Sequence, residues 1–428
     1  MNNTQIAKKI LLACAAVAVF PTLMLAQAGS LDPTFGTGGI VTTPNTTTAC
    51  GAVVNCAIAL QSDGRIVVAG GATQSNGAPE MAMARYNTNG SLDTTFGNGG
   101  LVLFAENGGG PAFGVAIQVD GKIVTAAPVG LGLDVFRFNT NGTLDGTFGA
   151  GGIVATGAAG RLIGATPGGL ALLSNGDILV AVGVSMLRLL PNGQFDSAFG
   201  TGGVAPLLTS AEGLSSLSTG KSLVTSALTF SSGSATRFNP NGSLDAVFGV
   251  VGQTPTVGEP LAIAALATGK FIIAGTLDSG VPSLGRTTPQ GFVLTRYNAN
   301  GTIDASFGIH GSVVTTFPGN SYAAALALAV QSNGDIVAAG GTALNNPVLG
   351  QEPVDFALVR YTPNGQLDTS FGNNGRVKTG LGNNGANTAS ISALAIQADG
   401  NIVAVGSNVP PNFTDPKPGF TLARYLGN

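Results

Sequence analysis

The sequence has no tryptophan and a single histidine, His310. Only 9% of its 428 residues are charged, and Lys and Arg nowhere cluster. A lone histidine rules out zinc sites built from several imidazoles and leaves little room for His-based nucleophilic catalysis. Without clustered cations there is no footprint for a nucleic-acid backbone, so no nucleic-acid partner is expected. Long apolar runs are missing too. "ILLACAAVAVF" (10–20) ends at Pro21, and "AAALALAV" (323–330) has the length of a buried strand, so no membrane span is expected. Sustained helical periodicity is absent after the first few dozen residues. The chain is nevertheless no disordered polymer, since 44% of it is hydrophobic and can bury a core.

The beginning of the chain reads as an export signal. Lys8 and Lys9 precede the apolar run, and "AQA" (26–28) supplies small residues for cleavage after Ala28. Residues 1–28 are therefore expected to be a signal peptide, with the rest delivered to the periplasm, the cell surface or the medium. A lipoprotein cut at Cys14 would leave too short an apolar run. Losing Lys8 and Lys9 moves the formal net charge from −3 to −5. Cys14 goes with the leader, leaving Cys50 and Cys56. A local disulfide is the expected state of two such close cysteines in an exported chain, with two separate buried thiols as the alternative.

What the sequence has in abundance is glycine, 66 residues of it, and repetition. "RYNTNGSLDTTFGNGG" (85–100) recurs with small edits along the chain. Its seven acidic anchors are Asp32, Asp93, Asp145, Asp196, Asp245, Asp304 and Asp368, each followed three residues later by Phe-Gly. An arginine stands near the end of the preceding apolar run, at Arg85, Arg137, Arg188, Arg237, Arg296, Arg360 and Arg424. The mean spacing is about 56 residues, a repeat architecture in which 29–428 forms one domain.

Each unit holds four strand-like runs, exemplified by "CAIAL" (56–60), "RIVVAG" (65–70), "MAMARY" (81–86) and "GLVLF" (100–104). Asp-Gly or Asn-Gly joins the first two in most units, a strong hairpin signal. The expected fold is all-β: a seven-bladed β-propeller with four antiparallel strands per blade. Unit lengths are too uneven for the coils of a β-helix. Runs such as "AIAL", rich in Ala, Gly and Ser, suit the crowded innermost position, and "GIVTT" (39–43) suits the outermost. The chain starts with an outer strand lacking its blade and ends with "FTLARYLGN" (420–428), a third strand lacking its outer partner. The two ends are expected to complete one blade and close the ring. In the repeated connector, Asn-Gly makes the turn, the Asp caps a turn or pairs with an Arg, and the Phe plugs the gap between blades.

"ALQSDGRIVVAGG" followed by "ARYNTNGSLDTTFGNGG" resembles the delta-60 repeat family of bacterial exported propeller-like proteins. The resemblance spans essentially all of 29–428 and is weakest in the fourth unit, where "LSTGKSLVTS" and "VFGVVGQ" lose the turn and the Gly pair. It implies a propeller fold and export, and it brings no catalytic residues.

Individual motifs add little chemistry. His310, in "FGIHG", occupies a connector position where most units have Gly. "GLGNNG" (380–385) spells a nucleotide-binding fingerprint but has no helix to follow it. "NTNGSLD" offers oxygens like those of a calcium loop, but the Gly falls too early and acids are sparse. Asn89, Asn141, Asn241 and Asn300 head Asn-Gly-Ser/Thr triplets that serve as turns first. No Trp is present to staple blades around a cofactor. No metal, cofactor or catalytic residue is therefore assigned, and a monomer is expected.

Recognition is expected in the connections between second and third strands, which emerge on one face and are long in blades five, six, seven and one (276–291, 341–355, 407–419 and 71–80). Their candidate ligand-binding residues are Glu80, Asp278, Arg286, Asn345, Asn346, Glu352, Asp355, Asn412, Asp415 and Lys417. The leading function is a secreted or envelope binding propeller for a glycan, peptide or envelope protein. The alternative is a glycan-active hydrolase or lyase using loop carboxylates such as Glu80, Glu106, Glu212, Glu259 and Glu352.

Overall fold

A computed structural model describes residues 27–43, 50, 56–74, 76–105, 109–130, 132–157, 167–229, 232–276, 291–320, 322–343, 354–381, 388–409 and 419–428. Among them are 28 strands and no helix. Strand β1 (Ile40–Thr42) comes first. Blade 1 follows as β2 (Ala57–Leu60), β3 (Ile66–Thr73), β4 (Pro79–Tyr86) and β5 (Leu101–Phe104). Blade 2 is β6 (Gly114–Ile117), β7 (Ile123–Val129), β8 (Gly132–Phe138) and β9 (Ile153–Ala155). Blade 3 is β10 (Pro167–Leu172), β11 (Ile178–Val182), β12 (Ser185–Leu189) and β13 (Val204–Pro206). Blade 4 is β14 (Gly213–Ser216), β15 (Ser222–Thr229), β16 (Ser232–Phe238) and β17 (Gln253–Pro255). Blade 5 is β18 (Glu259–Ala265), β19 (Phe271–Thr276), β20 (Phe292–Tyr297) and β21 (Ser312–Thr315). Blade 6 is β22 (Tyr322–Val330), β23 (Ile336–Ala343), β24 (Val354–Tyr361) and β25 (Arg376–Thr379). Blade 7 comprises β26 (Thr388–Ile396), β27 (Ile402–Val409), β28 (Thr421–Tyr425) and, from the other end of the chain, β1. The protein is a seven-bladed β-propeller.

Ring closure is visible in the register. β1 runs antiparallel to β28, with Ile40 opposite Ala423, Val41 opposite Leu422 and Thr42 opposite Thr421. The Gly29 amide donates to the Leu426 carbonyl at 2.7 Å, and Leu31 bridges Tyr425. A single bridge between Val354 and Thr388 also links blades 6 and 7 into one continuous sheet.

Both faces of each blade are buried, because side chains alternate across the sheet and each blade packs between two others. In blade 1, Ile58, Ile66 and Val68 join a cluster with Val403 and Val405 of blade 7. Their neighbours Ala57, Val67 and Ala69 join Val115 and Ile123 of blade 2. This is why the second and third strands read as unbroken apolar runs while the short outer ones do not.

Two expected boundaries move. β3 continues through Gly70 and Gly71 to Thr73, and β4 begins at Pro79, so Glu80 lies within a strand rather than in a loop. β24 begins at Val354 and takes in Asp355 for the same reason. Gly70 is there for close packing: a Cβ on it would come within 2.7 Å of Cys56 Sγ and 2.8 Å of the Phe420 ring. The connections between second and third strands are therefore two residues long in blades 2, 3 and 4 and span only 74–78 in blade 1. They remain long in blades 5, 6 and 7, at 277–291, 344–353 and 410–420.

Candidate functional site

The repeated connector folds into a clasp between neighbouring blades. In blade 1, Arg85 Nε donates to Asp93 Oδ2 at 2.8 Å and Nη2 donates to Thr95 Oγ1 at 3.3 Å. Its Nη1 crosses to the Thr140 carbonyl of blade 2, and the guanidinium lies 4.6 Å from the centroid of the Phe96 ring. The other oxygen of Asp93 accepts from the Thr95 amide and hydroxyl at 3.1 and 2.7 Å. Gly97 then donates its amide to the Asn141 carbonyl of blade 2. One arginine thus combines a buried ion pair, a cation–π contact and a bond to the next blade.

The ion pair, the ring stacking and the carbonyl bond recur at every junction. Arg137, Arg188, Arg237, Arg296, Arg360 and Arg424 bond Asp145, Asp196, Asp245, Asp304, Asp368 and Asp32 through Nε. They stack over Phe148, Phe199, Phe248, Phe307, Phe371 and Phe35 and reach carbonyls of Pro191, Pro240, Ala299, Pro363, Gly427 and Thr88. At the sixth junction the segments flanking β1 and β28 stand in for the missing connector, with Gly372 donating its amide to the Ala28 carbonyl and Arg360 to that of Gly427. Asn89 closes its turn by accepting from the Ser91 amide and hydroxyl at 3.0 and 2.8 Å. Gly90 follows at φ 86°, where a Cβ would lie 3.0 Å from Phe35 and 3.1 Å from the Gly36 amide.

Two features of the clasp go beyond what the repeat predicts. The residue after the hairpin turn supplies a second cation at four junctions: Arg65 to Asp93 at 3.2 Å, Lys122 to Asp145 at 3.0 Å, Lys221 to Asp245 at 2.7 Å and Lys270 to Asp304 at 2.8 Å. Its sequence signal is a basic residue directly after the turn in units one, two, four and five. Four tyrosines also tie third strands to the preceding blade. Tyr86 pairs with Thr43, Tyr361 donates to Thr315 and Tyr425 to Thr379, while Tyr297 donates to the Pro255 carbonyl. Burial pushes the Tyr297 hydroxyl up to about 12.

Burial by itself pushes the clasp carboxyls upward. Hydrogen bonds from Thr or Ser and the adjacent cations outweigh it, so Asp32, Asp93, Asp145, Asp304 and Asp368 sit below the usual carboxylate range. At Asp245 the opposing groups are Lys221 and Arg237, with the same result. Groups held low in the folded state stabilise it fully above the unfolded aspartate value of ~3.9, and that contribution fades as pH falls through the folded values. The melting temperature is therefore expected to be flat between about pH 8 and 5 and to fall steeply below about pH 4. A decline centred at pH 6–7 in a calorimetric series would contradict this assignment.

The opposite face carries the loops. Cys50 and Cys56 form a disulfide there with Cα atoms 5.3 Å apart, both buried against Phe420 and Ala72. Glu80 shares its strand face with Ala82 and Ala84, and only 8% of it is exposed. Burial holds its carboxyl above the ordinary range, and no partner for it lies among the described residues. Asp355 is half-buried and ion-paired to Lys378 at 3.3 Å. Glu212 stands at the entrance to the central channel, and Glu259 opens inner strand β18 rather than lying in a loop. Asp278, Arg286, Asn345, Asn346, Glu352, Asn412, Asp415 and Lys417 lie outside the described residues, as does Glu106. Among the described residues, Glu80 and Asp355 thus sit within third strands, and Glu212 and Glu259 at the starts of inner strands.

The channel encloses about 340 Å³ and is lined by all seven inner strands. Small residues such as Ala57, Gly114 and Gly213 stand beside branched ones, including Ile58, Val115, Leu170 and Ile263. His310 is exposed on a connector turn at φ 53°. No group of three or more His, Cys, Asp or Glu suited to a metal occurs among the described residues. No helix among them is long and apolar enough to cross a membrane.

A profile for the family described as "Domain of unknown function (DUF5122) beta-propeller" matches residues 61–96, 266–307 and 331–371. Each match runs from a hairpin turn through the third strand to the clasp phenylalanine. The chain is a β-propeller repeat protein. No curated protein sequence matches it. Among solved structures, virginiamycin B lyase from Staphylococcus aureus superposes with a TM-score of 0.51 at 11% identity, covering 90% of this chain and 98% of the lyase. A fungal alcohol oxidase of the AA5 family in complex with copper gives 0.49 at 15% identity, over 93% and 76% of the two chains. Regucalcin from Agrobacterium tumefaciens gives 0.37 at 12% identity, over 74% and 91%. The lyase shares the propeller fold at an identity that carries no chemistry across, and the other two bear on nothing further.

Proposed function

We propose that this propeller is an exported binding protein, a rigid ring that presents the long loops of blades 5, 6 and 7 to a glycan, a peptide or another envelope protein. The observation that supports this reading is the asymmetry of the loop face. Blades 2, 3 and 4 turn between second and third strands in two residues, while blades 5, 6 and 7 spend 277–291, 344–353 and 410–420 on the same connection. The clasps that join the blades lie at the opposite end of the strands, so loop length is free to vary without loosening the ring. Export fits the leader-like residues 1–28 and the disulfide. The resemblance to the delta-60 repeat points the same way.

Replacing 277–290 and 344–353 by two-residue turns like those of blades 2–4 tests the reading. The trimmed protein is expected to melt within a few degrees of the parent and to lose retention on an immobilised panel of glycans, peptidoglycan and envelope extract. Equal retention by the trimmed and parent proteins would remove the loops from the binding surface.

A further inference from the structure

Asparagine followed by glycine is prone to spontaneous deamidation, because no side chain shields the attacking amide nitrogen. The sequence holds thirteen such pairs, eleven of them within the described residues. Ten of the eleven are locked by the turns they make. In the connectors Gly90 donates its amide to the Asn87 carbonyl at 2.9 Å, and Gly142, Gly193, Gly242, Gly301 and Gly365 likewise donate to the carbonyl three residues back. The hairpin-turn glycines Gly77, Gly176 and Gly334 follow the same pattern, and Gly375 donates to the Phe371 carbonyl at 2.8 Å. The side chains are held too: Asn89, Asn141 and Asn300 each accept from the backbone amide and hydroxyl two residues on. An amide whose proton is bonded gives it up reluctantly, and a carboxamide fixed through Oδ1 does not swing onto the nitrogen beside it.

The exception is Asn98-Gly99, in the reversal from the blade 1 connector into β5. The Asn98 backbone is fixed, its amide donating to the Leu101 carbonyl at 2.7 Å. Its side chain has no hydrogen-bond partner among the described residues, and neither has the Gly99 amide. Both residues are exposed, and a Cβ on Gly99 would meet nothing within 4 Å. Gly38, Gly151 and Gly202 hold the same place with amides equally unbonded among the described residues, but they follow Thr37, Ala150 and Thr201. Blade 6 has Asn373 there, followed by Asn374, whose Cβ crowds the attacking nitrogen and whose side chain donates to Asn373 Oδ1 at 3.2 Å.

We propose that Asn98 is a site of self-modification by deamidation. The Gly99 nitrogen, its proton lost to solvent base, attacks Asn98 Cγ. The bond from Cγ to the side-chain nitrogen breaks, and that nitrogen takes up a proton from water and leaves as ammonia. Water then opens the five-membered succinimide at one of its two carbonyls, leaving aspartate or isoaspartate at position 98. Either product adds one negative charge to the clasp face. Isoaspartate also lengthens the backbone by one carbon, in a turn where nothing crowds Gly99.

Timed incubation of the full-length protein at physiological pH and temperature, followed by peptide mapping with electron-transfer fragmentation, tests the proposal. Asn98 is expected to deamidate at least about tenfold faster than Asn89, Asn141, Asn241 and Asn300, whose hydrogen bonds must break first. Isoaspartate is the expected major product. In urea-unfolded protein the same peptides should deamidate at similar rates, which separates the effect of the fold from that of the dipeptide. Thr201→Asn places the same pair in the equivalent reversal of blade 3 and should create a second fast site at position 201. Equal rates at Asn98 and the four turn asparagines in folded protein, a difference that persists in urea, aspartate without isoaspartate, or a slow site in Thr201→Asn would each overturn the proposal.

Discussion

Removing residues 29–43 is expected to leave a ring that cannot close. Three losses coincide. Phe35, fully buried in the cluster between blades 7 and 1, disappears, and a deletion of that kind costs ~3–5 kcal/mol. Arg424 loses Asp32, its partner at 2.9 Å through Nε, and a buried ion pair broken on one side costs ~3–5 kcal/mol. β28 loses its outer neighbour and presents a bare edge for aggregation. The combined loss is comparable with the whole stability of an ordinary domain, ~5–15 kcal/mol. The truncated protein should therefore melt at least ten degrees lower or elute as aggregate, and a synthetic peptide of residues 29–43 added in excess should recover part of the loss. A truncation that melts with the parent would mean that β1 contributes nothing to closure.

That closure is legible in the amino-acid sequence alone, and the reason is repetition. Seven copies of one connector fix where each Arg, Asp and Phe falls in the strand frame, so the surplus strand at one end and the missing one at the other stand out. The repeat also marks the clasp as structural, although the stacking of each guanidinium on its phenylalanine has no one-dimensional signature. Strand ends are harder to place. Gly70 and Gly71 look like a stop, but Gly70 sits mid-strand because Cys56 and Phe420 crowd it, and the strand runs on to Thr73. The same false stop puts Glu80 and Asp355 in loops when only their sequence is considered. The cleft of about 800 Å³ between the hairpin turns of blades 1 and 2, around Ser62 and Gln118, is invisible in sequence for a different reason. Its walls come from turns in two units, and nothing in the spacing within either unit reports a gap between them.

The second large effect separates clasps that look alike in sequence. Arg360→Ala should destabilise the protein by ~3–5 kcal/mol, because Asp368 then keeps no cation, and the Gly427 carbonyl at the chain end loses its donor. The position after the hairpin turn in blade 6 is Asp335, so no second cation stands there to compensate. Arg237→Ala removes the matching ion pair, carbonyl bond and Phe248 stacking from blade 4, where the weak bond of Arg360 Nη2 to Ser370 Oγ at 3.3 Å has no counterpart. There, however, Lys221 Nζ remains 2.7 Å from Asp245 and keeps the buried carboxylate paired. The loss at Arg237 should accordingly be smaller by at least about 1 kcal/mol, the scale of one charge-assisted hydrogen bond. Adding Lys221→Met to Arg237→Ala should then cost more than the two single changes together, because only the pair of changes strands Asp245. Chemical denaturation of the four variants measures all of this. Equal losses at Arg360 and Arg237, with additivity in the double variant, would show that the second cation is a surface ornament and that each clasp rests on its arginine alone.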